Sequence, residues 1–126
     1  MFGTSNGGTN LKILIRKSQG ITILDLHGKS TFGNSGSEIL SAELRRLSDK
    51  GVNNLLLNVE KLTQVDSSCI GVVVRAYVSL RRKGGSLKLL RPRDRVKMVL
   101  NVFHLLKTIP NFEDEGQALA SFGAAS

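Results

Sequence analysis

Hydrophobic positions along this chain change their period from two to roughly four and back, and each change marks an element. Leu11 to Lys17 and Ile21 to His27 are β-branched and aliphatic runs separated by Ser18-Gln19-Gly20. That gap predicts a hairpin of two antiparallel strands. Between Ser35 and Lys50 the apolar residues Ile39, Leu40, Leu44 and Leu47 recur at helical spacing, with Glu43, Arg45 and Arg46 on the other side and Gly51 placed to end the helix. A strand is predicted over Asn54 to Val59, a helix over Ser68 to Lys83, a break at Gly84-Gly85 and a strand over Ser86 to Leu90. Pro92 opens a further helix whose apolar face is Val96, Val99, Leu100 and Phe103. Thr108-Ile109 reads as a last short strand, and Glu113 to Phe122 as a terminal helix with acids at its start.

The order strand, helix, strand, helix, strand after a hairpin implies right-handed crossovers and mainly parallel pairing, hence an α/β domain around one central mixed sheet. A single domain is expected over residues 11–122. Residues 1–10, uncharged and holding three glycines, read as a flexible leader, and 123–126 as a short flexible tail.

The junction between the third strand and the second long helix carries the chemistry. Asp66-Ser67-Ser68-Cys69-Ile70-Gly71 follows the apolar run Leu55, Leu56, Leu57 and Val59, and precedes Val72, Val73, Val74, Ala76, Tyr77 and Leu80. Two hydroxyls and a carboxylate therefore stand at a helix start, where backbone N–H groups lack intrahelical partners and the macrodipole favours negative charge. One reading of the residues is capping, in which Asp66 or Ser67 accepts a backbone N–H bond. The other is a seat for phosphate.

Val65-Asp66-Ser67-Ser68-Cys69-Ile70-Gly71, with Leu55-Leu56-Leu57-Asn58 before it and Gly84-Gly85-Ser86-Leu87-Lys88-Leu89 after it, resembles the STAS domain shared by sulfate transporters and bacterial anti-sigma factor antagonists. The resemblance spans about residues 11–122. It implies a STAS-like fold with the helices chiefly on one face of the sheet. It also implies a phosphorylation-controlled protein-binding switch that engages an anti-sigma factor serine kinase when unmodified and releases it when phosphorylated. The acceptor implied by position is Ser67, with Ser68 second, and the partner-binding stretch is Asp66, Ser67, Ser68, Cys69, Ile70 and Gly71. An opposing phosphatase is implied as well, and a homodimer is left open. Cys69 stands where the family most often has Gly: pointing outward it adds bulk at the docking surface, pointing inward it packs as a small hydrophobe. A first-turn cysteine is also a candidate low-pKa, redox-sensitive thiol. The same resemblance admits a STAS subunit of another assembly, such as a lipid transporter or a stress-signalling scaffold, with no kinase cycle.

Composition narrows the alternatives. The 126 residues carry a formal charge of +8, and the segment from Arg75 to Lys97 alone holds nine basic residues against the single acid Asp94. Such a concentration reads as a local basic surface. Nucleic acid is not expected to be its partner, because one tyrosine and no tryptophan leave little for base stacking. One cysteine excludes an internal disulfide. The sequence shows no signal segment and no apolar run of about 18 residues, so a cytoplasmic protein without membrane insertion is expected. No Walker loop, kinase signature or nucleophile elbow is present, and His27 and His104 have no acid at a triad or metal spacing. The expectation is a substrate of a kinase and not an enzyme, with no cofactor.

Overall fold

The computed structural model describes residues 11–31, 33 and 35–124, so the expected leader and the last two residues of the expected tail lie outside the described residues. Strand β1 (Leu11–Ser18) and strand β2 (Ile21–Ser30) pair antiparallel, from Leu11 opposite Gly28 to Ser18 opposite Ile21. Their two-residue turn, Gln19-Gly20, has positive φ at both positions, the backbone that matches the twist of a tight hairpin.

Helix α1 (Gly36–Asp49) leads to strand β3 (Asn54–Val65), helix α2 (Ser67–Arg82) and strand β4 (Ser86–Leu90). Helix α3 (Asp94–Val102), a single turn α4 (Leu105–Thr108), strand β5 (Asn111–Phe112) and helix α5 (Glu115–Ala124) follow. The five strands lie in the order β1-β2-β3-β4-β5, antiparallel at the hairpin and parallel elsewhere. This is the mixed α/β sheet that the sequence predicts.

The break between α2 and β4 shows why two glycines stand there. Gly84, at φ 83°, turns the chain out of the helix, and the N–H groups of Gly84 and Gly85 reach back to the carbonyls of Arg81 and Leu80. Gly85 is required for a different reason. A β-carbon there would lie 1.9 Å from the Asn53 carbonyl oxygen, where Asn53 accepts the N–H of Ser86 and opens the β3–β4 pairing.

Several boundaries differ from the sequence expectation. Strand β3 does not stop at Val59 but runs to Val65, pairing with β2 through register shifts between Asp25 and His27 and between Gly28 and Lys29. These irregularities hide the continuation, because they break the period-two alternation that announces a strand. The expected strand at Thr108-Ile109 is instead the end of α4, where the Ile109 N–H bonds the Leu105 carbonyl and the Thr108 hydroxyl bonds the His104 carbonyl. The last strand falls three residues later, since Pro110 ends the helical turn and its carbonyl accepts from the Leu89 N–H. Helix α5 extends through Gly123 and Ala124, past the expected domain end.

The sheet separates two apolar layers of unequal size. On one face, Leu24, Leu26, Leu55, Leu57, Leu87 and Leu89 bury against helices α1 to α4. On the other, Ile21, Ile23, Leu56 and Leu90 meet only Ala118, Leu119 and Phe122 of α5, with Phe112 at the edge. Neighbouring residues such as Ile23 and Leu24 thus serve opposite layers, as strand geometry dictates. The helices do lie chiefly on one face.

The basic segment does not form one surface. Lys88, on β4, is only 8% exposed and points toward α5, where its ammonium donates to Ser121 Oγ and lies 4.5 Å from the centre of the Phe122 ring. Arg91 and Arg93 are drawn to Glu60, and Arg93 also to Glu113. Arg81 packs on Tyr77. Alternation along β4 and the rotation of α2 scatter residues that are adjacent in the chain.

Candidate functional site

Strand β3 delivers the chain to Asp66 in extended conformation, and Asp66 caps α2: its Oδ1 accepts the Ser68 N–H at 2.9 Å and the Ser68 hydroxyl at 2.5 Å. The Ser68 hydroxyl has a further partner in Ser37 Oγ at 2.7 Å, and Ser37 Oγ lies 3.2 Å from Ser30 Oγ. A hydroxyl carries one proton. Because Ser68 gives its proton to the carboxylate, it accepts from Ser37, and Ser37 in turn accepts from Ser30. The end of β2, the start of α1 and the start of α2 are joined by this directed chain, with Ser30 and Ser37 buried.

Ser67 is placed differently. It is exposed, and its hydroxyl has no hydrogen-bond partner among the described residues. Adjacent serines thus divide the two readings of the junction: Asp66 and Ser68 do the capping, while Ser67 presents a free nucleophilic oxygen to solvent. Gly71 is half-buried one turn further on.

Cys69 and Ile70 turn inward. Both belong to the larger apolar layer, with Cys69 only 4% exposed. Burial pushes the Cys69 thiol up; a hydrogen bond with Ser30 opposes this without reversing it, and the charge of Asp66 adds to the rise. The low-pKa, redox-sensitive reading is therefore overturned, because desolvation outweighs the helix start. The side chain that replaces the family's usual glycine adds nothing to the surface. Of the six junction residues, Asp66, Ser67, Ser68 and Gly71 face the outside, while the side chains of Cys69 and Ile70 position the helix from beneath.

Beside the junction runs an open groove of about 400 Å³ between α1 and α2, with Ser67, Ser68 and Arg75 on one wall and Ser37, Glu38 and Arg45 on the other. Sequence reasoning missed the contribution of α1. Ser37 stands 31 positions before Ser68, and no local pattern links a serine in the first turn of one helix to the start of the next. Arg45 reads in sequence simply as the polar side of α1.

A strand-to-helix junction with a capping carboxylate, a tethered serine and an exposed one, on a mixed sheet with its helices mostly on one side, defines a small α/β domain. The comparisons with known proteins agree: a profile of the STAS domain matches residues 12–118, and the chain belongs to that family. The anti-sigma F factor antagonist of Paenibacillus polymyxa is 24% identical over 117 residues, covering 93% of this chain and 99% of that protein. A Thermotoga neapolitana homolog of TM1081 is 31% identical over 71 residues, covering 56% of this chain and 63% of that protein. Among solved structures, the anti-sigma factor antagonist SpoIIAA in its unphosphorylated form has the same fold, at TM-score 0.75 and 20% identity, over 89% of this chain and 96% of that one. Among the described residues no helix is long and apolar enough to cross a membrane.

Proposed function

We propose that this protein is an anti-sigma factor antagonist and a phosphorylation-controlled binding switch. Unmodified, it binds an anti-sigma factor that is also a serine kinase; phosphorylated at Ser67, it lets go, and an opposing phosphatase resets it. The reading places the protein in the cytoplasm as a substrate and not as an enzyme. In the modifying step the γ-phosphoryl group of kinase-bound ATP forms a bond to Ser67 Oγ, ADP leaves, and the hydroxyl proton passes to a base of the kinase.

The observation that carries the reading is the contrast between the two serines. Ser67 is exposed with an unengaged hydroxyl, whereas the Ser68 oxygen is held by Asp66 and Ser37. A kinase can reach the first without dismantling the helix cap. The added phosphate brings about −1.5 to −2 charges and three acceptor oxygens to the helix start. A partner that covers this junction must desolvate that dianion, and a differential of ~3 kcal/mol weakens the complex more than 100-fold.

The test is incubation with ATP and either cell lysate or the anti-sigma factor kinase, followed by phosphosite mapping. Phosphate is expected on Ser67 and retained in Ser68→Ala, while Ser67→Ala is unmodified and still binds the partner. A chain that takes no phosphate at Ser67, or Ser67→Ala and Ser67→Asp variants that bind the partner equally, overturns the switch. Purification of the native complex separates the second sequence reading, since transporter or scaffold subunits would then accompany the protein.

A further inference from the structure

Arg75 lies two helical turns beyond Ser67 on α2, and its exposed side chain reaches back toward the preceding turn of the helix. Its Nη1 stands 3.4 Å from the point that a β-carbon on residue 71 would occupy, so the guanidinium covers the bare backbone of Gly71. Residues four apart on a helix are surface neighbours about 5–6 Å apart, so Gly71 stands between Ser67 and the guanidinium, and all three line the same groove. Arg45 enters the same groove from α1.

Neither arginine has an ion-pair partner among the described residues, although four other arginines do, including Arg46 next to Arg45, which pairs with Glu43. The other charged group lining this groove is Glu38 on the α1 wall, and Asp49 lines an adjoining cavity that both arginines share, without an ion pair to either. Two unpaired guanidiniums in one groove with an exposed serine hydroxyl fit a tetrahedral dianion, since the planar fork of arginine matches two phosphate oxygens at once.

We propose that Arg75, with Arg45 opposite, closes on the phosphate of phosphorylated Ser67, so that the α1–α2 groove is an intramolecular phosphoserine clamp. The proposal rests on the reading that Ser67 is the modified residue. It adds where the phosphate goes once installed: into the groove, held by side chains from both helices, and not into solvent. The unpaired arginines are then the receiving half of the switch, and phosphorylation ties α1 to α2 across the groove.

The experiment installs phosphoserine at position 67 of the full chain during translation, independently of any kinase, and follows the phosphate by 31P NMR titration. A free phosphoserine loses its second proton near pH ~6. Guanidinium contacts favour the dianion, so the wild-type midpoint is expected about 0.5 to 1 pH unit lower, a threefold to tenfold shift in the ionisation constant. Arg75→Met moves the midpoint back toward the ordinary value, and the Arg45→Met, Arg75→Met double variant completes the return. Arg75→Lys keeps part of the shift, because charge survives while the fork is lost. Arg81→Met, further along α2 on Tyr77, leaves it unchanged. Identical midpoints in the wild type and the double variant, with both folded by amide NMR, overturn the clamp. Failure of the kinase to modify Ser67 overturns the switch instead, and leaves this measurement intact because the phosphoserine is encoded.

Discussion

The two faces of the sheet solve the same packing problem with different chemistry. The face under α1 to α4 is broad and apolar, and the hydroxyls of Ser30, Ser37 and Ser68 are joined at one end of it. The face under α5 is narrow, and charge does much of the seating. Arg16 of β1 bridges Asp25 of β2 and Glu115 of α5, Asn58 of β3 adds a bond to Asp25, and Lys88 is buried beneath Phe122. The difference teaches where a switch can sit. A rigid apolar layer fixes two helix starts closely enough for hydroxyls to align, whereas a single helix on a thin apolar strip needs ion pairs to hold its place.

The largest test of that contrast is in the core. Leu57→Ala removes a fully buried side chain from the broad layer and is expected to lower global stability by about 2–5 kcal/mol, measured by urea unfolding. Leu119→Ala, on α5, is expected to show first as faster hydrogen exchange of the α5 amides, with the four-helix layer still protected. Equal loss of protection in both layers would erase the distinction.

The ion network gives a smaller, pH-dependent effect. Burial raises the Asp25 carboxyl, but the hydrogen bonds from Arg16 and Asn58 outweigh it and the net shift is downward; Glu115 is lowered chiefly by Arg16. Carboxylates with depressed folded-state values stabilise the protein above their unfolded range near pH ~4 and lose that contribution as pH falls through the folded values. Because Arg16 is partly exposed, Arg16→Met is expected to cost only about 1 kcal/mol at pH 7. The gap to wild type should close on acidification below the carboxylate range. A gap that persists there would mean that packing of the Arg16 stem, and not charge, seats α5.

Lys88 is the finest probe, and there the charged form costs stability instead of contributing it. Burial lowers its pKa, so the unfolded chain binds more protons in the window below the ordinary lysine value and stability rises with pH through it. Lys88→Met is expected to raise stability at pH 7 by about 0.5–1 kcal/mol, since relief from desolvation exceeds the lost contacts with Phe122 and Ser121. The alkaline rise should vanish from its stability profile. A less stable variant would show that the ring contacts of the ammonium outweigh its desolvation.

Much of this architecture was legible in the residues because each signal was local. Leu11 to Lys17 and Ile21 to His27 announce the hairpin, Gly84-Gly85 marks the exit from α2, and the Asp-Ser-Ser motif identifies the family that the STAS profile bears out. What the sequence concealed was non-local. The second half of β3 depends on register shifts in its pairing with β2, and the two-residue β5 exists only because the backbone of β4 runs alongside it. Ser37 becomes part of the junction through a contact between helices, and the basic segment divides because consecutive residues leave the backbone in different directions. No charge count along the chain could reveal that Lys88 is buried or that Arg75 lies over Gly71.

Gly71 carries a consequence for how this domain can change. Glycine inside a helix costs roughly 0.5–1 kcal/mol relative to alanine, and at 3.4 Å from Arg75 a lone methyl group would just fit. Anything longer would push against the guanidinium. Selection for thermal robustness would favour a bulkier helix former at this position, while the phosphoserine clamp proposed above would keep it bare. A laboratory lineage evolved only for heat resistance should therefore drift toward a protein that folds better and responds less.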